Sequence, residues 1–86
     1  MVRERETQKT LVAIFTNPVN GGLEWVRIEA LLCALGCELV EGEGSAVAFH
    51  KLGLVLNVHR PHPQKDALRY RVKAVREFLE MLGETP

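Results

Sequence analysis

"EGSAVAFHKLGLVLNVHRPHP", residues 43–63, decides how this chain is read. It holds all three histidines, His50, His59 and His62, beside apolar runs too short for anything but strands. "AVAFHK" and "LVLNVHR" both alternate, and the short connection between them contains Gly53, the pattern of a β-hairpin. Val47 and Phe49 share one face of the first strand, and Leu54, Leu56 and Val58 share one face of the second. Those faces bury together only if position 49 pairs with 56 and 47 with 58. A two-residue loop at Leu52-Gly53 provides that register. The opposite face then carries Ala46, Ala48, His50, Val55, Asn57 and His59, with His59 across the ladder from Ala46. Small residues, an amide and imidazoles make an accessible face.

Working outward, "CELVEGEGS" reads as a short strand entering a turn at Gly42 and Gly44. Before it, "LEWVRIEALLCALG" sets Trp25, Ile28, Leu31, Leu32 and Leu35 on one stripe and places Gly36 just past a helix end. After the hairpin, "PHPQKD" cannot continue a central strand, because two prolines remove ladder donors. It leads into a last helix in which Leu68, Val72, Val75, Leu79 and Leu82 recur as an amphipathic stripe. Phe78 and Met81 are expected to widen that stripe, and Gly83 to end it. Arg69, Lys73 and Arg76 form a second line on a polar flank of the same helix. Near the start, "QKTLVAIFTNP" predicts a short helix, with a strand as the alternative because Val12, Ile14 and Phe15 also suit one. Residues 1–6 read as a frayed lead, and "NPVNGG" as a linker.

A chain of 86 residues with 47% hydrophobic content supports one domain that folds without metal or disulfides. "MVRERETQ" lacks the apolar core of a secretory signal, and no apolar run approaches the ~20 residues that span a bilayer. The expectation is a soluble, cytoplasmic protein with no membrane association. Cys33 and Cys37, either side of Gly36, are expected to be two semi-buried free thiols at a helix–strand junction. Net charge is zero but unevenly spread. Residues 24–43 carry five glutamates against Arg27, and residues 59–76 carry six basic residues against Asp66. The basic end suits phosphates or an acidic partner. A solvated helix face is the plainer reading of the same charges.

The order helix, three antiparallel strands, helix is that of small α+β domains like those that bind double-stranded RNA. "LLCALGCELVEGEGS", then the hairpin, then "HRPHP", then a basic amphipathic helix ending at Gly83, resembles the HicA family over residues 24–83. Residues 1–23 would be an N-terminal extension and 84–86 a tail. The resemblance implies a small toxin of a toxin–antitoxin pair that cleaves messenger RNA, with a HicB-like antitoxin as protein partner and no direct role for DNA. Gly44 and Ser45 match the family's Gly-Ser-His motif, but Ala46 stands where its histidine is expected. Pro61-His62 matches the Pro-His pair after the third strand, and Arg69, Arg71, Lys73 and Arg76 match the basic final helix. Three explanations fit Ala46: a branch that has lost cleavage, a handover of the role to His59, or an engineered change.

RNA cleavage needs a proton taken from the 2′-hydroxyl and one given to the leaving 5′-oxygen, and imidazole suits both near neutral pH. His59 and His62 are therefore the candidate catalytic residues. Ser45, Arg60, Lys65, Arg69 and Lys73 are the candidate RNA-binding residues. His50, beside the turn, is expected to be incidental. A metal site is not expected, because Arg60 and Pro61 interrupt the histidines and no carboxylate lies close in sequence. No cofactor is expected. Trp25 and Phe49 read as core, while Tyr70, off the apolar stripe, is placed either to pack or to stack on a base. The reading from a different class is a non-enzymatic binding module that keeps this fold.

Overall fold

The hairpin's pairing follows from its turn. Leu52 (φ 52°) and Gly53 (φ 78°) both adopt left-handed backbone, as in a type I′ turn, whose twist suits two right-twisted strands. The strands β2 (Ala46–Lys51) and β3 (Leu54–His59) thus pair Phe49 with Leu56 and Val47 with Val58. This is the register that the alternation requires. A shorter strand, β1 (Glu38–Glu41), lies antiparallel on the other edge of β2, with Leu39 beside Phe49 and Val40 beside Ala48. The sheet order is β1-β2-β3. The structure, a computed structural model, describes residues 5–18, 22–61 and 69–86. His62 and Lys65, singled out above, lie outside the described residues.

Three helices accompany the sheet: α1 (Arg5–Ile14), α2 (Trp25–Ala34) and α3 (Arg69–Leu82). The domain is α+β, with the helix–three strands–helix order read from the sequence. At the end of α2, the Gly36 N–H donates to the Cys33 carbonyl and the Cys37 N–H to the Leu32 carbonyl. That paired closure stops the helix and turns the chain directly into β1. Trp25 from α2 meets Phe49 from β2 edge-on, with ring centroids 6.4 Å apart, and Phe49 is 0% exposed. Ile28, Leu32, Val72, Val75 and Leu79 complete this core beneath Val47 and Leu56.

The stripe on α3 is narrower than expected. Phe78 is buried, but Met81 is 63% exposed. At 100° per residue Met81 falls about 130° from the middle of the stripe, so the helix turns it to solvent.

The N-terminal segment is a helix rather than the alternative strand, and it belongs to the core. Leu11 and Ile14 are fully buried with the residues of α2 and α3. Arg5 and Glu6, part of the lead expected to fray, are helical, and residues 1–4 lie outside the described residues. Glu6 holds that first turn: its carbonyl accepts from the Thr10 hydroxyl at 3.0 Å, and its carboxylate accepts from Arg27 at 3.2 Å. At the other end of α1, Arg76 donates to the Ile14 carbonyl (2.9 Å), the Thr16 carbonyl (2.9 Å) and the Asn17 Oδ1 (3.0 Å). The two cysteines are free but not alike. Cys37, at the sheet edge of the core, is buried, and Cys33 on the outer side of α2 is exposed. Among the described residues, no helix is long and apolar enough to cross a membrane.

Candidate functional site

The open face of the sheet is built in rows by strand pairing. Glu38, His50 and Val55 form one row, and Val40, Ala48 and Asn57 the next. Ala46 and His59 form the third, at the end where the β1–β2 turn closes. Rows two pairs apart are separated by about 13 Å along the strand, so His50 and His59 cannot serve one reacting group. Among the described residues, no three His, Cys, Asp or Glu side chains converge in a way that would hold a metal ion.

The turn between β1 and β2 delivers a partner to His59. The Gly42 N–H donates to the Ala46 carbonyl and the Ala46 N–H to the Glu43 carbonyl. This tight reversal brings the Ser45 Oγ to 3.3 Å from the His59 Nδ1. The serine hydroxyl can donate to Nδ1 or accept from it, so it steadies the ring in either tautomer. The far nitrogen, Nε2, is then a proton donor in one case and an acceptor in the other. An exposed imidazole held this way is equipped to give or take a proton on the open face.

Arg60, the next residue, faces elsewhere. Its guanidinium grips Glu29 on α2 with two bonds (2.9 and 3.2 Å) and Glu41 on β1 with a third (2.9 Å). Glu29 also accepts from the Trp25 Nε1 at 3.0 Å. Hydrogen bonds from its guanidinium to Glu41 and then Glu29 raise the Arg60 pKa above the ordinary arginine value. Its N–H donates to the Ser45 carbonyl at 2.7 Å, which ties the end of β3 to the turn bearing Ser45. The charge of Arg60 is therefore met within the molecule, and what Arg60 contributes is the placement of the Ser45–His59 pair.

Helix α3 brings a second set of side chains to His59. A hollow of about 250 Å³ between β3 and α3 is lined by Asn57, His59, Tyr70, Arg71 and Ala74. Tyr70 is 63% exposed, and the Arg71 guanidinium lies 5.3 Å from the centre of its ring. Helical spacing puts Arg69 and Lys73 on the opposite flank, about 140° around the helix and in line with Arg76, and Arg76 is bound to the end of α1. The basic residue beside His59 is thus Arg71 rather than Arg69 or Lys73. Tyr70 standing off the apolar stripe was the signal for the ring in this hollow; nothing in the spacing pointed to Arg71. On the sheet itself, a further hollow of about 290 Å³ is lined by Val40, Gly42, Ala46, Ala48, Asn57 and His59.

The family model described as the HicA toxin of bacterial toxin–antitoxin systems matches residues 25–83. This chain belongs to the HicA toxin family. Comparison with curated proteins and with solved structures gives no match. The HicA match begins at Trp25, the first residue of α2, and ends at Gly83, just past α3. It includes Ser45, Ala46, His59, Tyr70 and Arg71, and leaves α1 outside although α1 packs into the same core.

Proposed function

We propose that this HicA-family chain binds single-stranded RNA on the open sheet face and the β3–α3 edge, and cleaves it with His59 as the acid–base group. The Ser45–His59 pair carries this reading: an exposed imidazole oriented by a hydroxyl, next to an aromatic ring and an arginine. In this reaction Nε2 of His59 takes the proton of a ribose 2′-hydroxyl. The 2′-oxygen attacks the adjacent phosphorus, and the 5′-oxygen departs with a proton from a second donor. His62 is the candidate for that donor, or His59 returns the proton itself. Ala46 can do neither, which leaves His59 as the imidazole on its row. Arg71, Arg69 and Lys73 form no ion pair among the described residues, which leaves their charge available to phosphate.

The partner implied by family membership is a HicB-like antitoxin. The open face suits a protein cover, since Val40 and Val55 are exposed on it. A second reading, RNA or antitoxin binding without cleavage, is favoured by Ala46 and by the zero net charge, because an RNA-acting domain is usually basic.

Incubation with a long unstructured RNA separates the two readings. Cleavage is expected from the parent chain and from Cys33→Ala, on the outer side of α2. His59→Ala should lower the rate by a hundredfold or more, on the order of what acid–base groups supply. Ser45→Ala should lower it less, because the ring remains, and His62→Ala tests the second donor. An intact RNA after incubation with folded parent protein selects the binding reading. Cleavage that survives His59→Ala removes His59 from the mechanism.

A further inference from the structure

The two hollows described above share a wall. The sheet hollow, about 290 Å³, and the β3–α3 hollow, about 250 Å³, share Asn57 and His59 as a common wall. The floor of the sheet hollow is made by residue size. Ala46 and Ala48 carry only a Cβ, and Gly42 lacks one; a Cβ there would lie 3.4 Å from that of Ala46. A larger side chain at any of these three positions would fill the space. The other hollow has an aromatic wall, Tyr70, and a cation, Arg71, against its ring.

Resting on the proposed function, we infer that the two hollows are neighbouring nucleobase subsites, so that two consecutive bases of a single strand lie on opposite sides of His59. The phosphodiester joining them then crosses the imidazole, where a 2′-hydroxyl must sit to lose its proton. One base lies flat on Ala46 and Ala48 with the Asn57 amide at its edge, which offers both donors and an acceptor. The other stacks on Tyr70, a contact every base can make. Charge sets the direction of the strand. The β1 side of the face carries Glu38 and Glu43, and the α3 side carries Arg71. The phosphates therefore run on the Arg71 side of His59, away from the β1 carboxylates. A duplex cannot bind this way, because its bases stay stacked and paired and cannot part around a side chain. The ligand class is single-stranded RNA with a splayed dinucleotide step.

The test uses a 2′-O-methylated oligonucleotide, which cannot be cleaved, and reads binding by fluorescence anisotropy. The parent chain should prefer the single strand to the same sequence as a duplex. Tyr70→Ala should weaken binding about tenfold, and Tyr70→Phe should retain it. Ala48→Leu, which fills the sheet hollow beside Asn57, should weaken binding to a similar degree, with thermal melting confirming that it is folded. Loss in only one of the two variants overturns the paired subsites. Equal affinity for duplex and single strand overturns the splayed step. If both variants bind as the parent does, the inference fails while the proposed RNA action stands. If the folded parent binds no RNA at all, both fail together.

Discussion

The two faces of one three-stranded sheet differ more from each other than any two elements of this molecule. Val47, Phe49 and Leu56 point under the helices and are buried. One step along the same strands, Ala48, Asn57 and His59 point away from them and are exposed or half-buried. The covered face is governed by volume, since each side chain must fill the space left by Trp25, Val75 and Leu79. The open face carries side chains smaller than packing would favour, and the missing bulk becomes the hollow beside His59. Stability and chemistry are thus divided by the parity of single residues.

The sharpest test of that division exchanges one residue on each side. Phe49→Ala deletes a ring that is 0% exposed, a change of about 3–5 kcal/mol. Against a total stability on the order of 5–15 kcal/mol, that loss leaves a domain of this size largely unfolded or close to it. Asn57→Ala, eight residues later on the open face, should stay within about 0.5 kcal/mol. Urea denaturation followed by circular dichroism measures both. A similar loss in the two variants would mean that the open face is itself part of the packing, and the division fails.

A smaller effect extends the comparison to α3. Arg69 and Arg76 lie on the same flank of the helix, yet Arg76 donates to three oxygens at the end of α1 and stands 5.9 Å from the Phe15 ring centre. Arg76→Met should cost about 1–2 kcal/mol, the lower part of the range for polar groups left unpaired, because two of the three bonds are exposed. Arg69→Met should be close to neutral in stability. Denaturation midpoints of the two variants decide the matter. If they coincide, the attachment of α1 to α3 rests on Leu11 and Ile14 alone.

The hairpin and its faces were legible because a period of two and a two-residue turn leave a single register that buries Phe49 with Leu56. The helix over residues 25–34 was legible for the same kind of reason, through a stripe ended by Gly36. The use of each cation was not. Arg60, Arg71 and Arg76 look alike along the chain, and only the fold shows that Arg60 is held by Glu29 and Glu41 and Arg76 by the end of α1. Those acceptors lie 19 to 62 residues away in sequence, beyond the reach of any local pattern. Arg71 beside His59 was missed for a related reason. Its neighbour on β3 is set by the crossing of α3 over the sheet, whereas the spacing of Arg69 and Lys73 advertises a line that faces elsewhere.

The smallest predicted effect uses the cysteines as reporters of covered and open surface. Burial raises the Cys37 thiol pKa above its ordinary range; Lys51 pulls the other way, and Cys33 and Glu84 add to the rise. The folded chain therefore holds this proton more tightly than the unfolded chain does. Its contribution to stability is complete below the unfolded thiol pKa of about 8.5 and is lost as pH rises through the higher folded value. Denaturation midpoints measured from neutral pH to about pH 10 should fall more steeply for the parent than for Cys37→Ala, while Cys33→Ala keeps the parent's slope. Iodoacetamide under native conditions should label Cys33 well before Cys37. Equal labelling of the two, or an unchanged slope in Cys37→Ala, would show that the start of β1 opens to solvent and that the covered side of the sheet ends short of it.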